Sequence, residues 1–115
     1  MPFKATHYSR IKSDKVTESG AEKTEIRWLI TKDDGAEHFA MRLFKMAPGG
    51  HSPLHSHKWE HEVFILEGQC KVVCGDKTVE AEPGYTIFIP PEITHNFRNE
   101  GSATLKFLCL VPHHE

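Results

Sequence analysis

No stretch of this sequence is apolar for anything near the roughly 18 residues that a membrane-spanning helix requires, and none carries a block of like charge. The first absence argues against a transmembrane helix. The second, with 14 basic residues against 16 acidic and a net charge of −2, leaves no basic footprint for nucleic acid or for an anionic membrane surface. Cysteine is scarce as well, and the three present cannot all pair within one chain. Cys70 and Cys74 would sit on one face of a strand roughly 13 Å apart, at about 3.3 Å per residue, which exceeds disulfide reach. CxxC pairs of the kind that build structural zinc sites are missing too, so the thiols read as reduced. The N-terminal stretch MPFKATHYSRIK lacks the apolar segment of a signal peptide. A cytoplasmic protein with a small-molecule partner is therefore expected.

Also lacking is any amphipathic helix of useful length. Short runs rich in β-branched and aromatic residues take its place, at 25–31, 38–46, 61–66, 70–74, 77–81, 86–89, 95–98 and 104–111. Turn chemistry separates them: Pro48-Gly49-Gly50, Glu67-Gly68, Gly75-Asp76, Pro83-Gly84, Pro90-Pro91 and Asn99-Glu100-Gly101. With 115 residues there is room for one hydrophobic core. The pattern predicts a single all-β domain, a sandwich or small barrel. The first twenty-four residues are polar and weakly patterned, open to three readings: a flexible arm, a short helix, or a strand lent to a neighbouring subunit.

What is abundant is histidine, nine in all, three of them in the fragment HSHKWEH. On an extended segment His55 and His57 point to the same side, and His61 keeps that parity after a short bend. His95 must come from another strand, and closing a sheet into a barrel would bring it opposite the first three. Imidazole binds first-row divalent metals well, and each bound ring usually donates its second nitrogen to a carboxylate or carbonyl. Glu60 and Glu62 flank His61 and are candidates for that supporting role, or for a fifth ligand. The alternative is a solvated histidine-rich loop. His7, His38, His113 and His114 are scattered and read as ordinary residues. His51, in the segment leading to the cluster, is a candidate for the mouth of a pocket. Trp59 is expected to pack the loop or a dimer contact.

The spacing resembles the cupin superfamily. Its first motif runs G, five residues, HxH, three or four residues, E, six residues, G. Gly49, His55, His57 and Gly68 fit it, with His61 standing where most members carry glutamate. Pro83-Gly84, Pro90, His95 and Asn99 fit the second motif, and the resemblance spans roughly 38–111. Closer still, HSHKWEHEVFILEG, PPEITHNFRN and LKFLCLVP resemble small single-domain bacterial cupins that bind manganese through four histidines. That resemblance implies a double-stranded β-helix, the jelly-roll barrel. It implies a homodimer exchanging N-terminal strands, with residues 1–37 as arm and strand and 38–115 as barrel. It also implies a divalent ion on His55, His57, His61 and His95. Manganese follows from the resemblance, while nitrogen ligands also admit iron, nickel, copper or zinc.

Replacing the carboxylate by His61 has an electrostatic consequence. Three neutral imidazoles and a carboxylate leave a divalent ion at net +1, and four imidazoles leave it at +2. Anionic ligands should be held more firmly. Phe107, Cys109 and Val111 share one face of the last strand, which the resemblance places inward, beside the metal. Arg42 and Phe44 share a face of their own strand. If that face is inward, Arg42 is a lumen cation able to anchor a substrate carboxylate; otherwise it is an ordinary surface charge. The first functional expectation is a metalloenzyme of dioxygenase or other oxidoreductase type. The alternatives are a non-catalytic metal-dependent ligand-binding module, and Lewis-acid isomerase or lyase chemistry with Glu60 or Glu62 as base.

Overall fold

The computed structural model describes residues 3–113. Among them, nine strands and two single-turn 3-10 helices are the regular elements. The strands are β1 (Asp14–Lys15), β2 (Glu22–Ile30), β3 (Phe39–His51), β4 (His61–Glu67), β5 (Cys70–Cys74), β6 (Lys77–Ala81), β7 (Thr86–Ile89), β8 (His95–Arg98) and β9 (Leu105–Pro112). All eight strands expected from the sequence form, and β1 is added to them. No helix among the described residues is long and apolar enough to cross a membrane.

Every pairing is antiparallel, in the order β6-β5-β8-β3-β9-β4-β7, with β2 on the other side of β3 and β1 on β2. The long β3 is what curls this sheet. Its first eight residues pair with β9, whereas His51 at its far end pairs with Arg98 of β8. Alternation then sets the faces, because side chains two apart share one side of a strand. In β9, Leu105, Phe107, Cys109 and Val111 are buried, and in β4, His61, Val63 and Ile65 are buried. All of these except His61 meet Met46, Cys70, Val72, Ala81, Ile89 and Phe97 in one core. Phe107 is sandwiched between Phe44 and Phe97, with ring centroids 5.3 and 5.0 Å away.

One expectation is revised. Pro48-Gly49-Gly50 does not end the strand but lies within β3, where Gly49 takes a φ of 87° and the pairing with β2 shifts register. Gly49 donates its N–H to the Asn99 carbonyl and Gly50 accepts from the Asn99 N–H, both at 2.9 Å, so the segment is a strand edge. A Cβ on Gly50 would lie within 2.9–3.0 Å of the carbonyls of Ala47, Glu22 and Lys23, so only glycine lets β2 start this close to β3. The polar N-terminal segment holds a helical turn, Tyr8–Arg10, with β1 following it, and β2 pairs with β3 of its own chain. Arg27 ties this segment down by donating to the carbonyls of Tyr8 and Ile11.

Candidate metal centre

Four imidazoles converge at one end of the barrel, carried by three stretches of chain. His55 lies beyond β3, and its backbone forms a two-bond bridge with His95 of β8: His55 N–H to the His95 carbonyl at 3.1 Å and the reverse at 2.9 Å. His57 follows in the same loop, with Trp59 stacked on its ring at 4.5 Å and 11°. His61 opens β4, opposite Ile89 of β7. Ring centroids among the four lie between 4.1 and 5.7 Å for the pairs His55–His57, His55–His95, His57–His61, His57–His95 and His61–His95.

Three of the four, His55, His57 and His95, are placed as ligands of one divalent ion would be. Nitrogens bound side by side to one metal at about 2.0–2.1 Å stand about 3 Å apart. The Nε2 atoms of His55 and His57 are 3.1 Å apart. Ligand nitrogens of His55, His57 and His95 all fall within 4.8 Å of one another. The Nδ1–H of His95 donates to the Ile93 carbonyl at 2.9 Å, which fixes the tautomer and leaves Nε2 with its lone pair. His61 Nε2 is buried without a hydrogen-bond partner. Such an atom costs about 1–3 kcal/mol unless something satisfies it.

Electrostatics keep two of the rings neutral. Burial, reinforced by the Arg42 guanidinium and then by the neighbouring imidazoles, depresses the His61 pKa to about 3. Burial also lowers that of His95, against the opposing bond to the Ile93 carbonyl. Only unprotonated imidazole binds metal, so both rings are ready at neutral pH. A stability prediction follows for the metal-free protein. Unfolded histidine takes up a proton below about 6.5, whereas folded His61 refuses one until about pH 3. The contribution of neutral burial is thus complete above pH 6.5 and is lost as pH falls toward 3, at no more than about 1.4 kcal/mol per pH unit for each ring. The urea midpoint should be lower at pH 5 than at pH 7, and equal midpoints would contradict it.

A cavity of about 180 Å³ opens against the imidazoles, its walls formed largely by Trp28, Phe44, Trp59, Phe97 and Phe107. Arg42 and Cys109 line it together, as partners across β3 and β9, with Arg42 Nη2 donating to Cys109 Sγ at 3.0 Å. Arg42 thus lies on the cavity side of β3. Val111 is buried on the same face but belongs to the core away from the cavity lining. Glu60 and Glu62 are corrected: neither lines the cavity, and both border a groove on the outside. Strand parity is the reason, since with His61 and Val63 inward, Glu62 between them must point out. The carboxylate that reaches the imidazoles is Glu18, whose Oε2 is 3.4 Å from His55 Nδ1. It comes from the N-terminal segment, and no local spacing signals it. His51 pairs within the sheet and does not line the cavity, whereas Trp59 does line it besides packing its loop. His7, His38 and His113 lie outside the lining, and His114 falls outside the described residues.

A family model described as the cupin domain matches residues 42–111. Among curated proteins, a 1-methylthio-D-xylulose 5-phosphate methylsulfurylase of Rhodospirillum rubrum is 37% identical over 71 residues, 62% of this chain and 46% of that protein. The chain thus spans about half the length of that relative. Among solved structures, the polyketide cyclase RemF from Streptomyces resistomycificus superposes with a TM-score of 0.90 at 39% identity, covering 96% of this chain and 79% of that one. A cupin-2 domain protein of Rhodospirillum rubrum gives a TM-score of 0.83 at 25% identity, over 100% of this chain and 78% of that one.

Proposed function

This chain belongs to the cupin family, with its jelly-roll barrel, and from that premise we propose that it holds a divalent ion on His55, His57, His61 and His95 and is a small-molecule metalloenzyme. The reaction that fits best is carbon–carbon bond or proton rearrangement beside a carbonyl, as in a cyclase, isomerase or lyase. One observation carries this reading: the imidazoles face an aromatic-walled cavity in a chain 39% identical to a polyketide cyclase over nearly its whole length. A bound ion would supply Lewis acidity, polarising a carbonyl oxygen and stabilising charge that develops on it.

The chain's own groups set the rest. His95 is locked in its metal-binding tautomer by the Ile93 carbonyl, and Trp59 holds the plane of His57. The aromatic walls exclude water from the reacting carbon and strengthen every polar contact inside. Glu18, the carboxylate among the lining residues, is the candidate proton acceptor, in the place that Glu60 and Glu62 were expected to fill. Manganese remains the proposed ion on the strength of the four-histidine resemblance.

Dioxygenase-type oxidation is the second reading, because an apolar cavity beside the imidazoles suits dioxygen as well as an organic substrate. The test is metal-loaded protein with a panel of β-diketones, catechols, thiols and styrenes, followed by oxygen electrode and mass spectrometry. Products at the oxidation level of the substrate, with no oxygen consumed, are expected. Oxygen uptake matching product would replace the first reading by the second, and a rise in melting temperature without any product would leave a binding module.

A further inference from the structure

The cavity carries a cation that no carboxylate pairs with among the described residues. Arg42 lines it, and its guanidinium carbon lies 5.5 Å from the Trp28 ring centre and 5.0 Å from that of Phe44. Its Nη2 donates to Cys109 Sγ at 3.0 Å and lies 3.5 Å from His61 Nδ1. Nε is buried with no partner. No carboxylate lies within ion-pair distance of Arg42 among the described residues. The single lining carboxylate, Glu18, sits against His55 with a side chain 59% exposed.

A half-buried guanidinium is costly unless paired, and arginine cannot shed its proton to escape that cost. Two aromatic faces and a sulfur recover part of it. They also hold the group still, so it is a fixed donor. With a divalent ion on the imidazoles alongside, the cavity would favour an anionic ligand.

We infer that the substrate is a small carbonyl compound bearing a carboxylate, an oxoacid anion, with the carboxylate on Arg42 and the carbonyl toward the histidines. This rests on the metalloenzyme reading above and adds the substrate class to it. Arg42 then acts as a specificity residue. Lysine, without the planar fork, replaces it only in part.

Acetoacetate and its uncharged ester, methyl acetoacetate, separate the carboxylate from the carbonyl. Manganese-loaded wild-type protein should bind the acid roughly tenfold or more tighter than the ester by calorimetry, as a charge-assisted hydrogen bond implies. Arg42→Gln should lose most of that preference, read as the ratio of acid to ester affinity at a measured manganese content, while Arg42→Lys keeps part of it. Chelator-treated wild type should still prefer the acid in an NMR titration, because the guanidinium stays when the ion goes. Full preference in Arg42→Gln, or none in the metal-free wild type, would overturn the inference, and the second result needs no variant to fold. Anion selectivity with no turnover of any carbonyl compound would remove the proposed reaction and leave the inference standing. Turnover without selectivity would do the reverse.

Discussion

His95→Ala and His61→Ala should each leave a protein that no longer retains a divalent ion through gel filtration, whereas His38→Ala and His113→Ala should retain it in full. The contrast follows from position. His61 and His95 are 5% and 2% exposed, with rings 4.8 Å apart inside the cluster. His113 instead bonds the Ala36 carbonyl, and His38 contributes its backbone carbonyl to the His113 N–H at 3.1 Å. Removing a ligand costs more than removing the outer partner of one, and outer partners alone are worth roughly 10- to 100-fold in affinity. A drop beyond 100-fold is therefore expected for either cluster variant. Inductively coupled plasma mass spectrometry and calorimetry would check it. Equal occupancy in all four variants would exclude the site.

Asn99→Ala should cost about 3–5 kcal/mol of stability, a large part of the roughly 5–15 kcal/mol that holds a domain folded. Asn99 is 0% exposed. Its Nδ2 donates to the carbonyls of Met46 and Ala103, both at 2.9 Å, and its Oδ1 accepts the Gly101 N–H at 3.0 Å. Alanine would strand these three backbone groups at once, each worth about 1–3 kcal/mol where it is buried. Asn99→Asp keeps the acceptor but sets a carboxylate oxygen against the Met46 and Ala103 carbonyls, so at pH 7 it should cost at least as much as alanine. Urea unfolding at pH 7 measures both. An alanine variant within 1 kcal/mol of wild type would mean that water reaches these groups.

Asn99 also shows why sequence spacing was informative here. It stands four residues after His95, and its side chain bolts the end of β8 to Met46 of β3, so the separation of the two residues encodes a contact. Strands were legible wherever alternation met a turn residue, as in β4 and β9. Gly49-Gly50 misled because glycine serves two ends, turning a chain and letting strands crowd together, and only the neighbouring carbonyls distinguish them. Arg42, Phe44, Phe107 and Cys109 were legible by parity once the inward face was known. Glu18 was not, since its contact with His55 depends on how the N-terminal segment lies against the barrel. Glu60 and Glu62 were attractive by adjacency alone, and adjacency on a strand means opposite faces.

The backbone bridge between His55 and His95 ties together parts of the chain that are far apart in sequence. Contacts of that kind close late, after the loops between them have surrendered their freedom. The proposed ion would have His55, His57 and His61 close at hand in sequence, and would gain His95 only once the barrel closes. The full grip would then act mainly on the finished molecule, slowing the rate at which the barrel opens more than it speeds the rate at which it closes. Metal supply would thus govern how long each copy survives more than how quickly it matures.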